Sequence, residues 1–317
     1  MEYTKDILGD GYEVAYISQP SDYSGEVRCA AVRKQCAGAV RAVLYVHGYS
    51  DYFFQKEMGD AFVSAGYAFY AVELRKYGRS LLPGQKMFQV RDLREYYADI
   101  EAALKAIEAD GIEDVALLGH STGGLTSALF VAERHPRAVS VLMLNSPFLA
   151  WNLPAVLRKF IVPAVGAIGR KLPWLPVHQP ADAGYAQSLH ANYGGEWNYS
   201  RDWKPDVMPD PDSGWIGAID SAQKELARCR IDIPVLLMHS ARSAHRGDGP
   251  EAYYSADAIL DVESISKAGR GLGPDVTEAV FEGGLHDLVL SRPSVRREVM
   301  DVMLRFLAEH PGEHQKG

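Results

Sequence analysis

The sequence has few cysteines and no long uninterrupted apolar run. Three cysteines occur in 317 residues, an odd number without a CxxC pair, which argues against both a disulfide framework and a structural zinc site. The most apolar stretch, residues 153–169, is interrupted by Arg158, Lys159 and Pro163, so it is too short and too charged to cross a bilayer. We expect this stretch to form a helix that covers another part of the protein.

A targeting signal and an excess of basic charge are also absent. The opening residues, MEYTKDILGDGYE, contain no basic segment followed by an apolar one, so no secretory signal is predicted and a cytoplasmic location is expected. The net charge is −8, with acidic and basic residues interspersed, which is no electrostatic footprint for nucleic acid. Neither an HExxH motif nor a glycine-rich nucleotide loop occurs, so neither a metal nor another cofactor is expected.

Short apolar runs alternate with segments of helical spacing. Residues 12–18 and 27–32 show a period of two, which indicates an opening antiparallel pair. Residues 92–109 and 295–307 have apolar positions three or four apart, as a helix requires. Six further runs are typical of strands buried on both faces, namely 42–46, 67–72, 115–118, 139–144, 234–238 and 276–281. This alternation predicts an α/β fold with a mostly parallel central sheet flanked by helices.

The alternation stops between about residues 147 and 226. Prolines cluster there, and all five tryptophans fall within it. Large aromatic side chains build apolar pockets. We therefore expect a core made of residues 1–146 and 227–310, a helical cap inserted over residues 147–226, and a polar tail at residues 311–317.

A candidate nucleophile lies in Gly119-His120-Ser121-Thr122-Gly123. This G-x-S-x-G sequence follows the predicted strand at 115–118 and precedes a helical run at 125–134. The strand–turn–helix setting holds a serine hydroxyl exposed above a sheet, and the glycines leave room for the sharp turn. The helix directs its first amides, including that of Thr122, toward a developing negative charge. The alternative is that Ser121 only caps the helix.

With this motif the chain resembles the α/β-hydrolase superfamily, in particular its monoacylglycerol lipase and lysophospholipase-like branch of serine aminopeptidase type. His47-Gly48-Tyr49, after the strand at 42–46, is similar to the family's strand-ending His-Gly turn. The resemblance implies that the Tyr49 amide is the second oxyanion donor beside Thr122.

Two further segments carry the resemblance. Residues 73–80 are similar to the family's D-x-R-G-x-G-x-S segment but depart from it at Glu73 and Lys76; we interpret them as scaffold. Gly283-Gly284-Leu285-His286-Asp287 follows the last predicted strand, where the family places its catalytic histidine. His286 is therefore the implied general base, and Asp287 is expected to brace its loop.

The acidic residue that would orient His286 is harder to assign from the sequence. In the family an aspartate follows the strand before the last one, but no aspartate directly follows His239. Residues 255–263 resemble the usual D-x-(I/V)-V-x-V-E run, which selects Asp257. Asp248 is the second candidate. The alternative for Asp257 is that it caps a helix.

The expected reaction is cleavage of a carboxylic ester through an acyl-enzyme on Ser121. The expected partner is a small apolar ester, with no stable membrane insertion and an open oligomeric state. The alternatives are an amide or peptide hydrolase and a non-catalytic ligand-binding protein. The candidate substrate-binding residues are His120, Phe148, Trp151, Leu153 and Leu157, with Phe160 and Ile161 extending the apolar wall. A peptidase would use a carboxylate cluster among Glu196, Asp202, Asp206, Asp210 and Asp212.

Overall fold

The protein is represented by a computed structural model that describes residues 1–179, 182–245 and 247–312. Nine strands and eight α-helices alternate along these residues. The strands are β1 (Thr4–Lys5), β2 (Tyr12–Asp22), β3 (Gly25–Lys34), β4 (Arg41–Val46), β5 (Ala68–Glu73), β6 (Asp114–His120), β7 (Val139–Asn145), β8 (Val235–Ser240) and β9 (Val276–Phe281). The helices are α1 (Lys56–Ser64), α2 (Tyr97–Ala109), α3 (Thr122–Arg134), α4 (Val162–Gly169), α5 (Gly184–Leu189), α6 (Ser213–Leu226), α7 (Val262–Gly269) and α8 (Pro293–Glu309).

All nine strands form one sheet in the order β1-β2-β3-β5-β4-β6-β7-β8-β9. The pairs β1–β2, β2–β3 and β3–β5 are antiparallel. The remaining pairs, from β5 to β9, are parallel. The predicted α/β fold with a mostly parallel sheet and an opening antiparallel pair is confirmed.

The sheet is covered on both faces, which explains its apolar sequence. One core cluster joins the sheet to α2, α3 and α6 through residues such as Ile100, Leu129 and Ile219. The other joins it to α1 and α8 through residues such as Phe62 and Phe306. Every residue of β4, β5, β6 and β8 is buried. Burial on both faces removes the need for polar alternation along a strand.

Strand β9 differs from the prediction of a buried strand. It lies at the edge of the sheet and pairs with β8 alone among the described strands. Of its residues only Phe281 is buried, and Val280 is half exposed. A short apolar run does not distinguish an edge strand from a central one, because that depends on which neighbours pack beside it.

The predicted helix at 92–109 is present, with a tighter first turn. Asp92 and Glu95 form a capping box at a 3₁₀ turn that leads into α2. Such reciprocal bonds satisfy the free amides that begin a helix. The closing helix α8 begins at Pro293, where a proline needs no hydrogen-bond partner for its nitrogen. No helix of the described residues is both long and apolar enough to span a membrane.

The segment between β7 and β8 carries helices α4, α5 and α6 and no strand of the sheet in its described part. Helix α4, preceded by a π-helical turn at Leu157–Ile161, packs on α6. Gly166 allows this approach, because a Cβ atom there would lie 3.1 Å from the Gly217 Cα. The apolar stretch at 153–169 is therefore largely helical and its inner side covers α6, as expected, but its outer side is exposed.

Candidate active site

Ser121 occupies a sharp turn between β6 and α3. Its backbone has φ 53° and ψ −118°, a conformation that costs free energy for any residue other than glycine. Two bonds fix the turn: the Ser121 N–H donates to the Asn145 carbonyl at 3.0 Å, and the Phe148 N–H donates to the Ser121 carbonyl at 2.9 Å. The strain is thus held by the loop after β7.

The glycines around Ser121 are required by close backbone contacts. A Cβ atom at Gly119 would lie 2.7 Å from the Gly123 carbonyl oxygen. A Cβ atom at Gly123 would lie 2.2 Å from the His47 carbonyl oxygen. Real Cβ atoms do not approach carbonyl oxygens this closely, so any side chain at either position would push α3 away from the sheet. The G-x-S-x-G spacing is therefore a packing requirement as well as a motif.

His286 lies between Ser121 and Asp257. Its Nε2 is 3.0 Å from the Ser121 Oγ, and its Nδ1 is 2.9 Å from the Asp257 Oδ2. The other carboxylate oxygen of Asp257 accepts the N–H groups of Ile259 and Leu260, each at 2.8 Å. All three side chains are buried, and Ser121 is only 7% exposed. This arrangement can pass the serine proton to the imidazole while the carboxylate orients the ring.

Asp257 reaches this position by a detour of the chain. The chain leaves the sheet after β8, and Ser243 and Asp257 lie side by side as an isolated parallel bridge that closes the detour. The Asp257 N–H donates to the Arg242 carbonyl at 3.0 Å, and its carbonyl accepts the Ala244 N–H at 2.7 Å. The carboxylate thus lies beside the end of β8 although no aspartate directly follows β8 in the sequence.

The competing interpretations of the acid do not fit the structure. Asp248 is exposed and accepts the His245 N–H at 2.8 Å, so it is remote from any role beside the imidazole. Asp257 is no helix cap, because Asp261 caps α7 by accepting the Ser264 N–H. Of the two candidate acids, only Asp257 contacts His286.

The His47-Gly48-Tyr49 turn lies against the nucleophile. A Cβ atom at Gly48 would lie 3.0 Å from the Ser121 Cβ. The His47 Nδ1–H donates to the Gly48 carbonyl at 2.8 Å, and its Nε2 accepts the Leu74 N–H at 3.1 Å. Burial lowers the pKa of His47 to about 4, so the ring is neutral at pH 7 and its tautomer is set by these two bonds.

Two backbone amides at this point are available to donate hydrogen bonds to a ligand. Neither the Tyr49 N–H nor the Thr122 N–H has an acceptor within residues 1–179, 182–245 and 247–312. Thr122 is the first residue of α3, so its N–H points out of the helix end. Unpaired donors beside a buried hydroxyl are the arrangement that stabilises an oxyanion.

The loop that carries His286 is braced by Asp287, as the sequence predicts. The Asp287 carboxylate accepts the Asn145 Nδ2–H at 2.7 Å and the Gln55 Nε2–H at 3.0 Å. Its backbone N–H donates to the Tyr185 hydroxyl at 3.0 Å. The rings of His120 and Tyr185 flank the His286 ring at centroid distances of 4.9 and 6.0 Å.

A second polar cluster lies beside His286, and no local sequence pattern marks it because its members are distant in the chain. Donor or acceptor atoms of Asp51, His120 and Asp287 all lie within 4.8 Å of one another. The Lys204 ammonium lies 2.9 Å from the Asp51 Oδ1. The cluster has a metal-compatible set of atoms, but this ammonium and the amide donors on Asp287 already meet its negative charge.

His120 belongs to this cluster. Its Nδ1–H donates to the Asn145 carbonyl at 3.1 Å. Burial lowers its pKa; the carboxylates of Asp287 and Asp51 act in the opposite direction, and the Lys204 ammonium acts in the same direction as burial. A neutral His120 places no positive charge beside the His286 ring at neutral pH.

Aromatic side chains from three parts of the chain meet beside Ser121. The Phe148 and Trp151 rings are 5.0 Å apart, and Trp215 lies 4.6 Å from Tyr49. Trp215, on α6, connects these pairs at 6.4 Å from Phe148 and 6.2 Å from Trp151. Buried Trp151 Nε1 has no hydrogen-bond partner among the described residues. The skew of tryptophans toward the insertion could have pointed to Trp215.

The apolar wall predicted for the insertion is only partly present. Phe148 is buried and Trp151 is half-buried, whereas Leu153 and Leu157 are each 38% exposed. Phe160 and Ile161 are more than half exposed, and their place in a wall over the site stays a prediction. They lie on the outward side of their helix because the inward side packs on α6. Direct substrate contacts of His120, Phe148, Trp151, Leu153 and Leu157 stay predictions.

Residues 73–80 form ion pairs away from the nucleophile. Arg79 pairs with Glu73 and, at 2.7 Å, with Asp6, all of them buried. Arg75 forms a two-pronged pair with Asp99, with one bond of 2.7 Å. These bonds hold the loop after β5, consistent with its interpretation as scaffold.

The sequence matches a model of a known family over the region that carries these features. The Hydrolase_4 model, described as serine aminopeptidase S33, covers residues 38–292. The chain is an α/β-hydrolase of this family. The matched region includes the Gly48 turn, Ser121, Asp257 and His286 of the hydrolase.

Solved structures share the fold of this α/β-hydrolase. The monoacylglycerol lipase of Paleococcus ferrophilus is 22% identical with a TM-score of 0.67, over 90% of this chain and 100% of that one. A soluble variant of the monoglyceride lipase of Saccharomyces cerevisiae is 19% identical with a TM-score of 0.69, over 98% and 100%. A carboxyl esterase of Bacillus coagulans is 14% identical with a TM-score of 0.63, over 94% and 98%. No match was found among curated protein sequences.

Proposed function

We propose that this α/β-hydrolase cleaves carboxylic esters of apolar compounds through an acyl-enzyme on Ser121. The observation that carries the proposal is the unbroken chain of hydrogen bonds from Ser121 Oγ through His286 to Asp257. It lies beside the amides of Tyr49 and Thr122, which have no acceptor among the described residues. Nucleophile, base, orienting acid and oxyanion donors are the complete set that acyl transfer needs.

In the first step His286 takes the Ser121 proton as Oγ attacks the substrate carbonyl. The Asp257 carboxylate accepts the Nδ1–H of the ring, which keeps the Nε2 lone pair directed at the serine and stabilises the imidazolium. The Tyr49 and Thr122 amides receive the oxyanion. Each such donor typically contributes about 3 kcal/mol to transition-state stabilisation. His286 then gives its proton to the leaving alkoxide.

In the second step water hydrolyses the acyl-enzyme. His286 accepts a proton from the water as the water oxygen attacks the acyl carbonyl, and Ser121 leaves as the hydroxyl. The segment at residues 147–226, which we propose acts as a cap, contributes Phe148, Trp151 and Trp215 to the surroundings of the nucleophile. Their aromatic surface favours an apolar acyl or alcohol group.

Hydrolysis of peptides from the N-terminus is a weaker alternative, because four of the five carboxylates that would hold an ammonium have other partners. Asp206 pairs with Arg201 and Tyr193, Asp210 with His178, and Glu196 with Arg296. Asp212 caps α6. The names of the similar structures, lipases and a carboxyl esterase, also favour esters.

The test is hydrolysis of p-nitrophenyl esters from acetate to palmitate, with fluorophosphonate labelling of the serine. We expect Ser121→Ala to abolish both labelling and turnover. Asp257→Asn should lower kcat by about 10⁴, since an amide favours the wrong tautomer of the histidine. Asp248→Asn is the matched control and should retain activity. A wild-type protein that neither labels nor hydrolyses any ester would overturn the proposal and favour ligand binding without turnover.

A further inference from the structure

Exposed large apolar side chains are concentrated in one segment of the chain. Nine of the 17 exposed large apolar side chains of the described residues fall within residues 153–175. We call them the outer apolar face: Leu153, Val156, Leu157, Phe160, Ile161, Ile168, Leu172, Trp174 and Leu175. A concentration of exposed apolar side chains on a folded protein marks an interaction site.

The inner side of this segment is already in use. Val162, Gly166 and Gly169 are the buried residues of α4, and a Cβ atom at Gly169 would lie 2.1 Å from the Ser213 carbonyl oxygen. The contact with α6 is therefore close. Helix α4 cannot rotate about its axis to bring the outer apolar face inward. Helix α4 reads VPAVGAIG, without a single polar side chain on its exposed side. A helix apolar all round is normally covered on every side.

Basic residues accompany the outer apolar face. Arg158, Lys159, Arg170 and Lys171 are exposed, and none of them forms an ion pair with a described residue. No aspartate or glutamate occurs between residues 146 and 181. The segment therefore carries only positive charge, although the chain as a whole has a net charge of −8. The surface thus combines apolar side chains with unopposed positive charge.

We propose that the outer apolar face docks on an anionic lipid surface. The apolar side chains would enter the boundary between headgroups and acyl chains, and the four basic side chains would contact lipid phosphates. This is adsorption in the plane of the membrane, since the helix is too short to cross it. The proposal concerns binding and does not depend on turnover at Ser121.

A second copy of the chain fits this face less well. A twofold contact of the outer apolar face with itself would bring like charges together. No acidic residue of the segment is available to compensate them. Anionic headgroups supply the opposite charge that the surface lacks.

The test is sedimentation of the purified full chain with vesicles of phosphatidylcholine alone and of phosphatidylcholine with one-third phosphatidylglycerol. We expect binding to the anionic vesicles that weakens with salt and is at least tenfold weaker on the neutral ones. Each basic residue near the surface contributes about fivefold to partitioning. Arg158→Gln with Lys159→Gln should therefore reduce binding to anionic vesicles by about 25-fold.

Apolar variants separate the two contributions. Val156→Gln with Ile168→Gln should weaken binding to both kinds of vesicle. The matched controls change exposed residues elsewhere: Lys105→Gln with Arg137→Gln for charge, and Ile7→Gln with Val40→Gln for apolar surface. Both controls should bind like the wild type, and melting temperatures should show that all variants fold.

Three outcomes would overturn the proposal. The first is no binding to either vesicle. The second is equal binding to neutral and anionic vesicles, which would leave the basic residues without a role. The third is a dimer in sedimentation equilibrium that Val156→Gln with Ile168→Gln dissociates, since a second copy would then be the occupant. If the wild-type protein binds anionic vesicles but hydrolyses no ester, the result would count against the proposed reaction and leave the docking proposal standing.

Discussion

The Nζ of Lys204 lies 2.9 Å from the Oδ1 of Asp51, and both side chains are buried. Asp51 is two residues after Tyr49, and Lys204 belongs to the segment between β7 and β8. Two further bonds join the same regions: the Tyr49 hydroxyl donates to the Pro209 carbonyl, and the Ser200 N–H donates to the Tyr52 hydroxyl. The loop that presents the Tyr49 amide is thus held in place by that segment.

Removing one member of this pair should be costly. Lys204→Met leaves the Asp51 carboxylate buried without its cation, and its Oδ2 already has no partner among the described residues. We expect a loss of about 3 kcal/mol in the free energy of unfolding, measured with urea. Adding Asp51→Asn to Lys204→Met should restore part of this loss. The control is the pair of Lys224, which is exposed, and Asp220, which is partly buried; here Lys224→Met should cost at most about 0.5 kcal/mol.

If the losses in the free energy of unfolding for Lys204→Met and Asp51→Asn simply add up in the double variant, the two side chains are not coupled.

Gly48 should be sensitive to a single methyl group. The new Cβ of Gly48→Ala would press on the Ser121 Cβ at 3.0 Å and on the His120 Cδ2 at 3.2 Å. Moving this turn displaces the Tyr49 amide, so we expect kcat to fall by about a hundredfold. The melting temperature should change far less. In Gly271→Ala the new Cβ meets only the Ala268 carbonyl oxygen at 3.4 Å, and activity should be retained; an unchanged kcat in Gly48→Ala would remove Tyr49 from the proposed oxyanion site.

Stability should fall on acidification because His47 is buried in its neutral form. Its pKa is about 4 in the folded protein and about 6.5 when unfolded. Between these values the unfolded chain binds more protons, so the contribution is complete above pH 6.5 and is lost as the pH falls toward 4. The loss amounts to about 3 kcal/mol.

Urea unfolding across this pH range measures the effect. His47→Gln removes the titrating ring and should flatten the slope relative to the wild type. The same slope in both proteins would assign the effect to other groups.

Two tryptophans that differ in hydrogen bonding make a direct comparison. The Trp151 Nε1 has no partner among the described residues, whereas the Trp197 Nε1 donates to the Leu290 carbonyl at 2.9 Å. Phenylalanine removes the donor in each case and keeps an aromatic ring. Trp151→Phe should lower the free energy of unfolding by less than about 1 kcal/mol, because an unsatisfied buried donor is lost.

Trp197→Phe should cost about 2 kcal/mol more, since it leaves a carbonyl without its donor. Equal losses in the two variants would show that the Trp151 nitrogen finds a partner in solution.

Much of the fold could be predicted from local patterns. The strands at 42–46 and 139–144 and the helix at 92–109 follow from apolar runs and 3.6-residue spacing, which act within one element. The edge position of β9 could not be predicted, because a run of apolar residues does not show which neighbours it will have. The exposed side of the helix at 153–169 escaped prediction for the same reason.

The candidate site divides in a similar way. Ser121 and His286 stand in motifs whose chemistry depends on a turn directly after a strand, so a few adjacent residues reveal them. Asn145, Tyr185 and Lys204 contact that site from distant parts of the chain, and no local pattern marks them. One general signal existed for Asn145, since polar residues at the carboxyl ends of parallel strands meet at one sheet edge.

The sequence by itself determined the alternation of strands and helices, the nucleophile turn and the glycines around it, because these depend on residues close together in the chain. The tertiary structure decided how Asp257 rather than Asp248 meets the histidine. The chain makes a detour after β8 that is closed by the pairing of Ser243 with Asp257. The pairing of those ends rests on contacts between segments, and the length of the detour alone does not specify it.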